Sequence, residues 1–93
     1  MGHRHEKLSK KLVIINELGL HARSAAMIAN LARQAKSKVW IAKEGTKANA
    51  ASILDILTLA CEKGTRIDIT IEDKTDLNIL EEIEKLVKRG FEE

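Results

Sequence analysis

The sequence has no proline and no tyrosine, and Cys61, Trp40 and Phe91 are each the only residue of their kind among 93 residues. A lone cysteine excludes a disulfide within the chain and favours a reducing compartment. Because aromatic residues make up only 2% of the sequence, the stacking surfaces that bind single-stranded nucleic acids are missing. We therefore expect a core of Ala, Val, Ile and Leu. Trp40 and Phe91 would be its only aromatic members, and Cys61 a buried thiol among apolar positions of a helix.

An excess of charge of one sign and long apolar runs are also absent. Charged residues make up 32% of the chain, but the net charge is only +2, which gives no reason to expect nucleic acid or a membrane as a partner. The basic cluster of Lys7, Lys10 and Lys11 precedes a strand pattern, so we interpret it as solvated lysines. No run approaches the roughly 20 apolar residues of a membrane span, and residues 1–6 lack the apolar segment of a signal peptide. The sequence predicts a cytoplasmic protein.

Length and hydrophobic periodicity predict one domain over residues 1–93, with residues 1–9 as a flexible N-terminal extension. The order β-α-β-β-α-β-α is typical of an α+β two-layer sandwich, with helices on one face of an antiparallel or mixed sheet. Gly45 is expected in a turn, Gly64 at the end of the second helix and Gly90 at the end of the third. The predicted strands cover 12–15, 38–43, 47–50 and 66–72, and the predicted helices cover 22–36, 52–63 and 77–89.

Apolar residues at helical or alternating spacing define the predicted core. The first helix offers mainly small residues, which predicts close packing against the sheet. The predicted core members are Ala25, Ile28, Ala29, Ala32 and Ala35 from the first helix, Ile53, Ile56 and Ala60 from the second, Ile67, Ile69 and Ile71 from the fourth strand, and Leu77, Leu80, Ile83, Leu86 and Val87 from the third helix.

His21 lies between the first predicted strand and the first predicted helix, where it would be the helix N-cap. Histidine is not a favoured N-cap residue, so the position suggests a role beyond stability. A neutral imidazole nitrogen is nucleophilic near neutral pH, and the positive end of the helix dipole disfavours imidazolium. The backbone amides of Ala22, Arg23 and Ser24 could bind a phosphoryl group, which the Arg23 guanidinium could clamp. The alternative is an ordinary capping histidine in a loop.

The run Gly19-Leu20-His21-Ala22-Arg23, followed by a helix of small residues, resembles the active-site signature of the HPr family. These are histidine-containing phosphocarriers of the bacterial sugar phosphotransferase system. The resemblance extends from Leu12 to Phe91 and includes Ser52-Ile53-Leu54 and the Lys63-Gly64-Thr65 turn. It implies an open-faced sandwich in which three helices cover one face of a four-stranded antiparallel sheet. It also implies that enzyme I phosphorylates Nδ1 of His21, which passes the phosphoryl group to an EIIA-type protein.

Two residues near the histidine depart from the family pattern. Ser24 stands where proline is usual, which leaves the stiffness of the first helical turn open and adds a hydroxyl near the phosphate site. Leu18 stands where many relatives carry a polar residue that supports the histidine. The segments 16–19 and 90–93 resemble the nitrogen-related branch, NPr, which acts in regulatory phosphorelays. The sequence leaves open whether the chain serves sugar uptake or nitrogen regulation.

Ser52 and the second helix supply the remaining functional candidates. Ser52 is an N-cap by its pattern, and by resemblance it aligns with a serine that HPr kinase/phosphorylase modifies in some bacteria. Asp55, three residues later, would repel a phosphate there. Leu54 and Leu57 are candidates for an exposed apolar docking patch or for additional core. The partner-binding set implied by the resemblance is Ala26, Asn30, Arg33, Ile53, Leu54, Leu57 and Thr58.

Three further expectations complete the hypothesis. The chain would be a monomeric transfer component, with no metal or organic cofactor of its own, rather than a free-standing enzyme. His3 and His5 are a weak metal pair, and the acidic residues at 92–93 are interpreted as solvated. The alternatives are a non-transferring regulatory module, which would bind through Leu54 and Leu57 under the control of Ser52, and a small ligand-binding domain.

Overall fold

The computed structural model describes residues 8–93, so the predictions for Lys7, His3 and His5 lie outside the described residues. The strands are β1 (Ser9–Val13), β2 (Val39–Lys43), β3 (Thr46–Asn49) and β4 (Arg66–Ile71), and the α-helices are α1 (Ala22–Ala32), α2 (Ile53–Thr58) and α3 (Leu77–Lys88). The strands form one antiparallel sheet in the order β1-β4-β2-β3. The three helices cover one of its faces, which confirms the predicted open-faced α+β sandwich.

The central strand β4 has the alternation that the sequence predicted. Ile67, Ile69 and Ile71 are buried against the helices, while the residues between them face away from the core. The first strand lies earlier than expected, at Ser9–Val13, and it pairs with β4 so that Leu12 lies opposite Ile67. Ile14 follows the strand and is fully buried, and its N–H donates to the carbonyl of Thr65 at 2.9 Å.

Trp40 is the clearest error in the predicted core. It alternates with the buried residues Val39 and Ile41 on β2, so its half-buried ring lies on the face of the sheet away from the helices. There the ammonium of Lys47 lies 4.5 Å from the ring centroid, and the indole N–H donates to Glu72 at 2.9 Å. A cation and a carboxylate satisfy this amphipathic side chain where an aliphatic core would leave its N–H unpaired.

Helix α1 is four residues shorter than predicted because the chain already turns towards β2 after Ala32. The buried carboxylate of Asp76 accepts hydrogen bonds from the backbone N–H groups of Lys36 and Ser37, at 2.8 and 3.0 Å. Those bonds replace the helical pattern in this segment and leave Ala35 half-buried outside the helix.

Helix α2 ends at Thr58, also before its predicted end. Ala60 adopts a φ of +53° and is exposed, so its predicted place in the core is wrong. The ammonium of Lys43 caps this end by donating to the carbonyls of Leu59 and Ala60, each at 3.0 Å. Gly64 was predicted to end the second helix, but it lies six residues beyond Thr58. With a φ of +92°, it turns the chain into β4 instead.

Cys61 follows α2 in this connection and is 3% exposed. Burial raises the pKa of its thiol. The prediction of a buried cysteine is confirmed, but its place in a helix is wrong, because α2 ends at Thr58.

The third helix matches its prediction best. Gly90 ends the helical region with a φ of +65°, and Phe91 behind it is fully buried, as expected. Ile79 takes a core position, whereas Leu77 at the start of α3 is only half-buried. No helix within residues 8–93 is long and apolar enough to cross a membrane.

Candidate functional site

The loop before α1 fixes where His21 lies. Gly19 has a φ of +66°, and a Cβ atom there would lie 2.4 Å from the carbonyl oxygen of Cys61. The next residue, Leu20, donates its N–H to the same carbonyl at 2.8 Å. Asn16 closes the loop from the other side, since its Nδ2 donates to the Gly19 carbonyl at 2.8 Å. Only glycine permits this close contact between the loop and the connection after α2.

His21 is the N-cap of α1, as predicted. Its backbone is extended, with a φ of −112°, and its carbonyl accepts the first helical hydrogen bond from Ala25 at 2.8 Å. The Nδ1 atom accepts from the backbone N–H of Arg23 at 3.4 Å. This nitrogen of the imidazole therefore faces the first-turn amides, which have no carbonyl partner within the helix.

Ser24 stiffens this turn in the absence of proline. Its hydroxyl is fully buried, accepts from the His21 N–H at 2.9 Å, and lies within 3.1 and 3.2 Å of the carbonyls of Gly19 and His21. The bond from His21 is the return half of a capping box. The hydroxyl thus faces the loop backbone, and the contact of the Ser24 amide with a phosphate stays a prediction.

Glu93 is a site residue that the sequence analysis missed. Its Oε2 atom lies 2.6 Å from Nε2 of His21 and 3.4 Å from the Arg23 guanidinium, and its Oε1 accepts from Asn16 at 3.1 Å. Its side chain is only 16% exposed, in contrast to the solvated acidic residue that we expected. Because 72 positions separate Glu93 from His21, no local pattern in the sequence could have joined them.

The carboxylate of Glu93 is held in its charged form by these neighbours. The hydrogen bond from His21, followed by that from Asn16 and by the charge of Arg23, lowers the pKa of Glu93 below its usual value. Arg23 also donates to the carbonyl of Phe91 at 3.3 Å and contacts the sulfur of Met27. Its guanidinium thus lies beside the Nε2 edge of the ring while its backbone N–H faces Nδ1.

The residues expected to bind partners lie on α1 and α2, which pack against each other. Arg33, the C-cap of α1, donates to the carbonyl of Ala51 in the turn before α2 at 3.1 Å and to Oδ1 of Asn30 in α1 at 3.4 Å. Leu54 is 75% exposed, as a docking residue requires, and Leu18 in the His21 loop is 69% exposed. The remaining members of the set are Ala26, Ile53 and Leu57, which are half-buried, and Thr58, which is exposed.

Ser52 is the N-cap of α2, since its hydroxyl accepts from the N–H of Asp55 at 3.2 Å. Among residues 8–93, no three His, Cys, Asp or Glu side chains lie close enough to hold a metal ion. The fold and the site together define a small carrier-type α+β domain, in which a histidine at a helix N terminus presents Nδ1 to backbone amides.

Comparisons with known proteins give the family. A sequence model described as the PTS HPr component phosphorylation site matches residues 8–89. The chain is 34% identical over 86 residues to the phosphocarrier protein HPr of Neisseria meningitidis serogroup A, covering 92% of this chain and 97% of that protein. It is 36% identical over 87 residues to the phosphocarrier protein NPr of Shewanella violacea, covering 94% and 96%.

Solved structures agree with the sequence matches. The crystal structure of HPr from Bacillus anthracis superposes with a TM-score of 0.78 at 33% identity, covering 85% of this chain and 94% of that one. An HPr structure from Thermoanaerobacter tengcongensis gives 0.77 at 30% identity, covering 91% and 96%. The chain belongs to the HPr family of phosphocarrier proteins of the phosphotransferase system.

Proposed function

We propose that His21 is the residue that carries the phosphoryl group, bound at Nδ1, between enzyme I and an EIIA-type acceptor protein. The observation that supports this most directly is the position of Nδ1, which accepts a hydrogen bond from a first-turn amide of α1. An imidazole buried in a loop or turned to solvent would lack this contact. The helix dipole and the free amides favour an anion at that nitrogen.

The transfer step needs little rearrangement. The lone pair of Nδ1 forms the bond to phosphorus while the bond between phosphorus and the donor breaks. The N–H of Arg23 then turns from Nδ1 to a phosphoryl oxygen, and the amides of Ala22 and Ser24 complete the set of donors. Most of the catalysis of phosphoryl transfer comes from such positioning and electrostatic stabilisation. The Arg23 guanidinium has five N–H donors, so it can bind a phosphoryl oxygen without losing all its present contacts.

The face formed by α1 and α2 is the proposed partner-binding surface. Leu54 on α2 and Leu18 in the loop before α1 are large, exposed apolar side chains, and Arg33 supplies a positive charge at the C-terminal end of α1. A surface of this kind suits transient contacts with the donor and acceptor proteins. A cytoplasmic location agrees with the family. We propose a monomer, because a symmetric dimer through this surface would cover the residues that partners need.

Incubation with phosphoenolpyruvate and enzyme I, followed by intact-mass analysis, tests the carrier proposal. Wild-type protein should gain one phosphoryl group that is lost in acid, and His21→Ala should gain none although His3 and His5 remain. Ser52→Ala serves as the matched control and should gain the same acid-labile group. A wild-type protein that gains nothing, or a His21→Ala variant that is still phosphorylated, would overturn the proposal.

We propose Ser52 as a second, regulatory phosphorylation site, separate from the carrier role of His21. Its hydroxyl caps α2, so a phosphate there would have to replace that cap beside the carboxylate of Asp55. Treatment with HPr kinase/phosphorylase distinguishes this modification, because phosphoserine survives acid and phosphohistidine does not. An acid-stable mass gain that Ser52→Ala abolishes would support regulation at Ser52, and no gain would contradict it.

A further inference from the structure

The carboxylate of Glu93 and the amide of Asn16 form a bonded chain that ends on the imidazole of His21. Asn16 is 5% exposed, and its Nδ2 donates both to the carbonyl of Gly19 and to Oε1 of Glu93, at 2.8 and 3.1 Å. The other oxygen of the Glu93 carboxylate lies 2.6 Å from Nε2 of His21. Two residues far apart in the chain, Asn16 and Glu93, thus act together on one ring.

The orientation of the Asn16 amide follows from its partners. A carbonyl and a carboxylate can only accept hydrogen bonds, so Asn16 must present its NH₂ group to both. Its Oδ1 consequently has no hydrogen-bond partner within the described chain. A buried amide oxygen without a partner costs stability, and this orientation is retained because it is the one that holds Glu93.

The same reasoning fixes the proton on the imidazole. The carboxylate of Glu93 can only accept, so Nε2 of His21 must be the protonated nitrogen. The Arg23 N–H can only donate, so Nδ1 must carry the lone pair. The two contacts lie on opposite edges of the ring and select the same tautomer.

We infer that Glu93 is a positioning residue for phosphoryl transfer, whose carboxylate, braced by Asn16, keeps the proton on Nε2 and the lone pair on Nδ1 of His21. The inference rests on the proposed role of His21 as the phosphoryl carrier. Arg23 supplies the positive charge that faces this carboxylate, at 3.4 Å, whereas the adjacent Glu92 pairs with Arg89 at 3.6 Å.

The charge of Glu93 also matters during the step itself. When Nδ1 bonds to phosphorus, the ring gives up electron density and becomes positively charged while Nε2 keeps its proton. A carboxylate fixed at Nε2 stabilises that charge as it develops, as the buried carboxylate of a serine protease does for its histidine. The charge is absent from the free ring and present on the phosphorylated one, so Glu93 favours acceptance of the phosphoryl group from the donor.

The test combines nuclear magnetic resonance of the ring nitrogens with phosphorylation kinetics on the full chain. In wild-type protein, above the pH range in which the ring titrates, Nε2 should have the shift of a protonated nitrogen and Nδ1 that of an unprotonated one. In Glu93→Gln the two shifts should move towards each other, because a neutral amide can accept from or donate to Nε2. Glu92→Gln removes one charge from the adjacent residue and should retain the wild-type shifts.

Phosphorylation by enzyme I should be about tenfold slower in Glu93→Gln than in Glu92→Gln. This loss is smaller than the ~10⁴-fold loss of rate in a serine protease whose buried orienting carboxylate is changed to an amide. Unchanged ring shifts together with equal rates in the two variants would overturn the inference. Absence of any phosphorylation in wild-type protein would instead overturn the carrier role of His21. The ring shifts are measured without enzyme I, so the two failures are distinguishable.

Discussion

At the scale of single residues, Gly19 determines where His21 can lie. Replacing Gly19 by alanine should destabilise the protein by about 2–4 kcal/mol, because a left-handed backbone costs a residue with a Cβ about 1–2 kcal/mol and the clash adds to it. The added Cβ would lie 2.4 Å from the carbonyl of Cys61 and would displace the hydrogen bond from Leu20. Urea unfolding measures the loss.

Gly45 is the matched control for that variant. It also has a positive φ, of +83°, but a Cβ there meets nothing within 4 Å. Gly45→Ala should therefore lose only the backbone term, about 1–2 kcal/mol. Equal losses of unfolding free energy in the two variants would show that the contact between the loop and Cys61 does not contribute to stability.

At the scale of elements, the sequence predicted periodic segments well and their ends poorly. The alternation of β4 and the apolar stripe of α3 follow from burial on one face, which a residue pattern records directly. The ends of α1 and α2 depend instead on hydrogen bonds from distant side chains, Asp76 for α1 and Lys43 for α2. Such contacts override local helix propensity, and nothing in the neighbouring sequence signals them.

Asp76 offers a test of this tertiary control over the end of α1. Asp76→Ala should cost about 2–4 kcal/mol, because hydrogen bonds to a charged group are worth about 1.5–3 kcal/mol each and the amides of Lys36 and Ser37 lose theirs. Asp76→Asn keeps one acceptor oxygen and should lose about half as much. Urea unfolding of both variants measures the difference, and two equal, small losses would contradict this account.

At the scale of the whole molecule, the candidate site divides into a part that the sequence predicted and a part that it could not. His21, Arg23 and the first-turn amides are consecutive, so a local motif identifies them. Glu93 and Asn16 complete the site only in the folded protein, because the turn that follows α3 packs against the loop before α1. The tautomer of the histidine is thus a property of the complete fold.

The same coupling of distant elements makes the stability of the fold depend on acid pH. A hydrogen bond from Lys88 in α3, together with the charge of Lys10 in β1, lowers the pKa of Glu84 below its ordinary value of 4.5. The native state consequently binds fewer protons than the unfolded state near that pH. The sign is that of a depressed carboxyl pKa: the stabilisation is complete above the unfolded value and is lost as pH falls through the folded one.

We therefore expect the Tm to fall once the pH drops below about 4.5. The pKa of Asp73 and that of Glu93 are lowered as well, by the Thr75 N–H and by His21, so these groups contribute to the same fall.

Glu84→Gln should have a lower Tm than wild type at pH 7, and its Tm should fall less steeply between pH 5 and 3. Added salt should reduce the gap at pH 7, because Lys10 and Lys88 are partly exposed ion-pair partners. Calorimetry across this range measures both slopes, and parallel curves for the two proteins would show that Glu84 does not link β1 to α3.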